Sequence, residues 1–212
     1  MDSFEAQPGD ALIVIDPQLD FCPGGALAVA GGDEIMSGIA GLAASFELVV
    51  VTQDWHPKGH SSFATSHEGG APFATTQMPY GEQVLWPDHC VQGSAGADFH
   101  PALAPAVERA HLILRKGFHP GVDSYSAFYE NDRTTRTGLA GYLRDKRARR
   151  CVLVGLAYDF CVAYSAVDAV RDGFEAVVLK DLTRAIAMPA PGGGTTADEA
   201  EVRFREAGVA VA

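Results

Sequence analysis

The sequence predicts an α/β fold: three layers, α/β/α, around a mainly parallel sheet of roughly six strands. Three observations carry this. Short apolar runs rich in β-branched residues recur along the chain, and helix-patterned segments separate several of them. The runs are continuous rather than alternating, as in strands covered on both faces.

The first run is 11–16 (ALIVID). Residues 33–45 fit a helix, with Asp33 as its N-cap and Ile35, Ile39 and Leu42 on one stripe. The second run, 47–52 (ELVVVT), leads into a long segment, about 55–105, rich in Gly, Pro, Ser and His and weakly periodic. A loop of that length in a compact domain commonly carries function. A third run follows at 111–116 (HLILRK), and the basic residues of 144–150 read as the solvated C-terminal end of a helix. The fourth run, 151–155 (CVLVG), precedes a helix over 159–172 that Asp159 caps, with Val162, Ala166, Ala169 and Val170 facing inward. After the fifth run, 174–180 (FEAVVLK), a Pro/Gly-rich link at 188–194 enters a last helix, 195–207, and a sixth run closes the chain at 208–212.

A chain of 212 residues forms one domain, 1–212, with a substantial core. Its net charge of −11 argues against a nucleic-acid binder. The acidic start, Met1-Asp2-Ser3-Phe4-Glu5, lacks a secretory signal, and no apolar stretch approaches a membrane span. Cys22, Cys90, Cys151 and Cys161 lie far apart with no CxxC pair, which reads as reduced thiols in a cytoplasmic protein.

Ligands of open parallel sheets bind outside the carboxyl ends of the strands. Here those ends carry Asp16, then Asp54 and His56, then Lys116, then the turn from Gly155 to Cys161. Any one of these could simply begin a loop; four strand ends carrying such groups together argue for a site. Cys161, two residues into the helix after the fourth run, sits where a thiolate is stabilised. Position alone leaves it open between a nucleophile and a small buried apolar residue. Asp54 and His56, two apart on an extended segment, point the same way and make half a metal site. His60, His67 and His89 are the nearby candidates to complete it.

Asp16 with Phe21, DWHPKGHSSFA (54–64), LWPDHCVQGSAGADFHP (85–101), RKGFHPGVDSYSAF (115–128) and GLAYDFCV (155–162) together resemble bacterial nicotinamidases, which are isochorismatase-like cysteine hydrolases. The likeness covers about 10–181; the stretch after Ala185 matches less clearly. It implies a catalytic triad of Asp16, Lys116 and Cys161 and an oxyanion hole from the backbone N–H groups of Ala157 and Cys161, with a cis peptide between Leu156 and Ala157. It also implies metal ligands Asp54, His56 and His89, with His60 a candidate fourth, and aromatic walls from Phe21, Trp86 and Tyr125. One divalent ion is implied; the donor set suits zinc first, and also iron or manganese. The implied substrate is nicotinamide, with pyrazinamide also accepted, and relatives occur as monomers and homodimers. Tyr158 departs from the Thr of many relatives, in a turn where it bears on pocket shape. Rival readings are an amidohydrolase for another small amide, a metallohydrolase in which Cys161 is structural, and a binding protein on the same fold. The last is disfavoured because no triad member is missing.

Overall fold

The computed structural model describes residues 4–212; Met1–Ser3, part of the acidic start, lie outside the described residues. In chain order the elements are β1 (Asp10–Ile15), α1 (Met36–Ala43), β2 (Leu48–Asp54), β3 (Thr75–Met78), β4 (Gly81–Val84), α2 (Ala104–Arg109) and β5 (Leu112–Lys116). There follow α3 (Leu139–Asp145), β6 (Arg150–Leu156), α4 (Ala163–Arg171), β7 (Glu175–Arg184), α5 (Thr196–Ala207) and β8 (Ala210–Val211).

Six strands form one sheet in the order β5-β2-β1-β6-β7-β8, every neighbouring pair parallel. β1 and β2 are buried along their whole length because helices cover both faces, which explains their unbroken apolar runs. α1 packs against α2 and α4 against α5; the right-handed rule for crossovers between parallel strands sets the two pairs on opposite faces of the sheet. The chain winds outward from β1 to β2 and β5, returns to β6 on the other side of β1, and continues to β7 and β8. The winding direction therefore reverses between β1 and β6, so a crevice opens beyond the carboxyl ends of those two strands.

Several local expectations change. Asp33 makes no cap: α1 begins at Met36, and Asp33 contributes only its backbone carbonyl to the preceding turn. The basic segment is split, since Arg144 lies in the last turn of α3 whereas Arg150 opens β6 and pairs with Asp10 at 2.6 Å. β5, an edge strand, alternates in exposure and leaves Ile113 in solvent. The long 55–105 segment contains a two-stranded hairpin, β3–β4, set apart from the main sheet. Thr195 and Asp198 cap α5 reciprocally, and Gly208 ends it at φ +78°.

Candidate active site

Asp16 follows β1 at φ +43°, a left-handed turn that an aspartate tolerates. Beside it, Gly155 of β6 lies at φ +107°, and a Cβ there would stand 2.2 Å from the carbonyl oxygen of Ile15. Only glycine lets the two strands approach this closely at the reversal point. Thr52 of β2 fixes the carboxylate: its hydroxyl donates to Asp16 Oδ1 at 2.6 Å and accepts from the Asp16 backbone N–H at 3.0 Å.

The β2–β5 register sets Asp54 opposite Lys116 at the same rim. Lys116 is 1% exposed, and its ammonium lies 2.8 Å from Asp16 Oδ2 and 3.4 Å from Cys161 Sγ. It also donates to Asp54 Oδ1 at 3.0 Å and to the Ser124 carbonyl at 2.9 Å. Asp16 Oδ2 lies 2.8 Å from the ammonium, in direct ion-pair contact with it.

The electrostatics follow from burial. Desolvation raises the Asp16 carboxyl pKa, with Lys116 opposing and Asp54 adding to it. Burial works against the charge on Lys116, but Asp16 and Asp54 outweigh it and hold its pKa well above the ordinary lysine value. Burial also pushes the Cys161 thiol well up, with Lys116 pulling it down and both carboxylates pushing it higher. Burial thus favours the thiol form of Cys161, and a carboxylate stands close by. The residue lies in a π-type turn, Tyr158–Val162, and α4 proper begins only at Ala163. Asp159 does not cap α4; its carboxylate accepts the backbone N–H groups of Ile186 and Ala187, at 3.0 and 2.8 Å, and the hydroxyl of Thr196. The Leu156–Ala157 peptide is cis.

Next to this trio lies a cluster suited to a cation. Oδ2 of Asp54 stands 2.9 Å from His56 Nε2 and 3.3 Å from His89 Nε2, and all three side chains are buried. Donors bound at ~2.1 Å around one ion lie about 3.0–3.4 Å apart, so the spacing fits. The outer ring nitrogens agree: His56 Nδ1 faces the Gly117 carbonyl and His89 Nδ1 that of Pro87, each at 2.8 Å. Donation to those carbonyls leaves the Nε2 lone pairs pointing inward. Gly117, at φ +66°, makes room, since a Cβ there would come within 2.5 Å of His56 Cε1 and 2.9 Å of Asp54 Oδ1. His60 does not join this group. Its Nδ1 meets the Ser62 hydroxyl at 2.7 Å and its Nε2 the His119 carbonyl at 2.9 Å, on the side of His56 that faces Asp123.

One pocket brings Cys161 and the cation cluster together, while Asp16 and Lys116 are not among the residues that line it. Phe21, Trp86 and Tyr125 line it with Ala157 and Cys161, and the cation cluster forms its floor. The Tyr125 hydroxyl accepts from Gln83 Nε2 at 2.8 Å and Trp86 Nε1 at 3.2 Å, which fixes both rings. Leu27, Asp123, Phe160 and Ile186 also line the pocket and had not been singled out from sequence. Of these, only Phe160 carried a signal, its place beside Cys161 in the strand-end turn. Tyr158 turns away from the pocket and packs edge-on against Phe204 of α5, ring centroids 5.4 Å apart. A thiol, a carboxylate base, a buried ammonium and a cation cluster around an aromatic slot suit acyl transfer from a small planar carbonyl compound.

Comparison with known proteins agrees with this geometry. The Isochorismatase domain model matches residues 10–190. A nicotinamidase of Acinetobacter baylyi is 54% identical over 178 residues, covering 84% of this chain and 82% of its own. A solved Acinetobacter baumanii nicotinamidase/pyrazinamidase superposes with a TM-score of 0.91 at 48% identity, covering 97% of each chain. The pyrazinamidase of Pyrococcus horikoshii, solved in complex with zinc, is 33% identical with a TM-score of 0.73, covering 97% of this chain and 99% of its own. On its sequence and its fold, the chain belongs to the isochorismatase domain family.

Proposed function

We propose that this protein is a cysteine amidohydrolase that converts nicotinamide to nicotinate and ammonia, and that it also accepts pyrazinamide. The observation that carries the reading is the placement of Lys116 Nζ, 2.8 Å from Asp16 Oδ2 and 3.4 Å from Cys161 Sγ. Asp16 takes the thiol proton as Cys161 attacks the carboxamide carbon. Lys116 keeps the pair compact and stabilises the sulfur's charge. The carbonyl oxygen becomes an oxyanion held by the N–H groups of Ala157 and Cys161, a contribution of ~2.7–4 kcal/mol per donor in comparable enzymes. The proton on Asp16 passes to the departing ammonia, and a thioester on Cys161 remains. Asp16, now ionised, draws a proton from water; the hydroxide releases nicotinate and regenerates the thiol.

Phe21, Trp86 and Tyr125 sandwich the ring. Asp54, His56 and His89 would hold a divalent ion, which when bound supplies a Lewis acid for the pyridine nitrogen and so orients the ring. Zinc is the ion proposed, on the two-imidazole, one-carboxylate donor set and the zinc complex of the Pyrococcus relative; iron and manganese suit the same donors. The same reading makes the chain one catalytic domain, a monomer or homodimer, acting on a small molecule in the cytoplasm without nucleic-acid or membrane partners. Its net charge of −11, its four unpaired cysteines and the absence of a membrane-crossing helix among the described residues support this.

Ammonia release from nicotinamide, with and without chelator, tests substrate and metal need together. Cys161→Ala should abolish release while keeping bound metal, and turnover in that variant would refute the nucleophile.

A further inference from the structure

Three aspartates stand at this site, and two of them have cationic partners. Asp16 pairs with Lys116; Asp54 is shared between Lys116 and the two histidines. The third, Asp123, lines the same pocket at 2% exposure, and the ion pairs of the site leave it out. Its oxygens are occupied as acceptors: Oδ2 by Gln83 Nε2 at 3.0 Å and Oδ1 by the Ser124 N–H at 2.7 Å. Acceptance at both oxygens is the pattern of an ionised carboxylate. Its position is firmly set. Gln83 also donates to the Tyr125 hydroxyl, the Asp123 carbonyl accepts the Asn131 N–H at 2.7 Å, and the next residue supplies the carbonyl that anchors Lys116.

His56 and His60 are its neighbouring imidazoles, within 4.8 Å, and neither forms an ion pair with it; a buried charge held beside a pocket puts its field on whatever enters. We propose that Asp123 is a specificity-determining residue that discriminates by charge, admitting a neutral pyridine amide and repelling the pyridine carboxylate formed from it. The inference rests on the amidohydrolase reading above. Hydrolysis replaces a neutral carboxamide with an anion in the same slot, so a fixed negative charge acts on product and hardly on substrate. Asp123 thereby favours product release and keeps acidic pyridines from occupying the enzyme.

The test compares binding of nicotinate and nicotinamide to metal-loaded protein carrying Cys161→Ala, with and without Asp123→Asn, by calorimetry. Metal content is measured in both. Removing the charge should shift the ratio of the two affinities roughly five- to tenfold toward nicotinate, the scale of one screened charge–charge contact across a small pocket. Asp123→Ser, which keeps an acceptor for Gln83, should show the same split. A merely structural role would weaken both ligands together, and an unchanged ratio in both variants overturns the proposal. If the parent enzyme releases no ammonia from nicotinamide, the amidohydrolase reading falls and takes this inference with it. Turnover by the parent with an unshifted ratio overturns the inference alone.

Discussion

Replacing Lys116 with Met keeps the aliphatic stem and removes the ammonium. In the parent that ammonium faces Asp16 at 2.8 Å, Asp54 at 3.0 Å and the Ser124 carbonyl at 2.9 Å, with no access to water. Its loss strands two neighbouring buried carboxylates, and breaking a buried ion pair from one side costs about 3–5 kcal/mol. Against a total stability of roughly 5–15 kcal/mol, the variant still folds, with a narrow margin. The pH dependence gives a second handle. Burial already raises the Asp16 carboxyl, and Lys116 opposes it, so the variant raises it further. A carboxyl raised in the folded state binds its proton more tightly there than in the unfolded chain. Stability then increases as pH falls through the folded pKa and levels off below the unfolded one, regaining about 1.4 kcal/mol per pH unit in between. Urea unfolding of both proteins in chelator should show the largest deficit near about pH 8 and a smaller one near about pH 5. A deficit below about 1 kcal/mol, or one that does not shrink on acidification, refutes the argument.

Three other outcomes follow from the geometry. Gly117→Ala forces a Cβ to within 2.5 Å of the His56 ring at a backbone φ of +66°, so it should cost metal affinity and about 1–3 kcal/mol of stability. Full metal content in that variant would contradict the assignment of the cluster. Metal affinity should rise with pH: burial lowers the His56 pKa, Asp54 outweighs it, and the net shift is upward, so the proton on His56 competes with the ion until pH passes the raised value. Titration against a competing chelator checks this, and a flat profile across the neutral range would sink it. Asp159→Ala removes the acceptor of the Ile186 and Ala187 N–H groups, which should cost about 2–3 kcal/mol and raise KM, because Ile186 lines the pocket. An unchanged KM would remove Ile186 from the binding wall.

The rim of the site was legible because β1, β2 and β6 are buried on both faces and their apolar runs stop abruptly at polar residues. Asp16, Asp54 and the turn to Cys161 are conspicuous for that reason. What one strand cannot encode is its register against another. The contact of Lys116 with both Asp16 and Asp54 depends on β5 pairing with β2 and on β2 pairing with β1. The β3–β4 hairpin was missed because Thr75–Met78 (TTQM) is half exposed and buries no apolar face that would show as periodicity. Asp159 was misread because its true partners, Ile186, Ala187 and Thr196, are remote in sequence and a local cap was the only interaction sequence could offer. Asp123 and Ile186 reach the pocket from irregular segments, where neither period nor motif points inward.

The two halves of the site are joined through one carboxylate. Asp54 offers Oδ1 to Lys116 and Oδ2 to His56 and His89, so its charge is divided between the ammonium that serves Cys161 and the cation cluster. That charge acts on the sulfur as well, being among the causes that hold the Cys161 thiol up. Whatever positive charge gathers on the Oδ2 side must weaken the field that Asp54 presents to Lys116 and to the sulfur 3.4 Å beyond it. In the proposed mechanism the thiol would then lose its proton to Asp16 at lower cost. On the proposed mechanism the same carboxylate would set ring orientation and nucleophile strength, and Thr52, two residues earlier on β2, holds Asp16 in place. A single strand end therefore links the ammonium beside the sulfur to the cation cluster, and on the proposed mechanism changes at Asp54 should disturb ring binding and sulfur activation together.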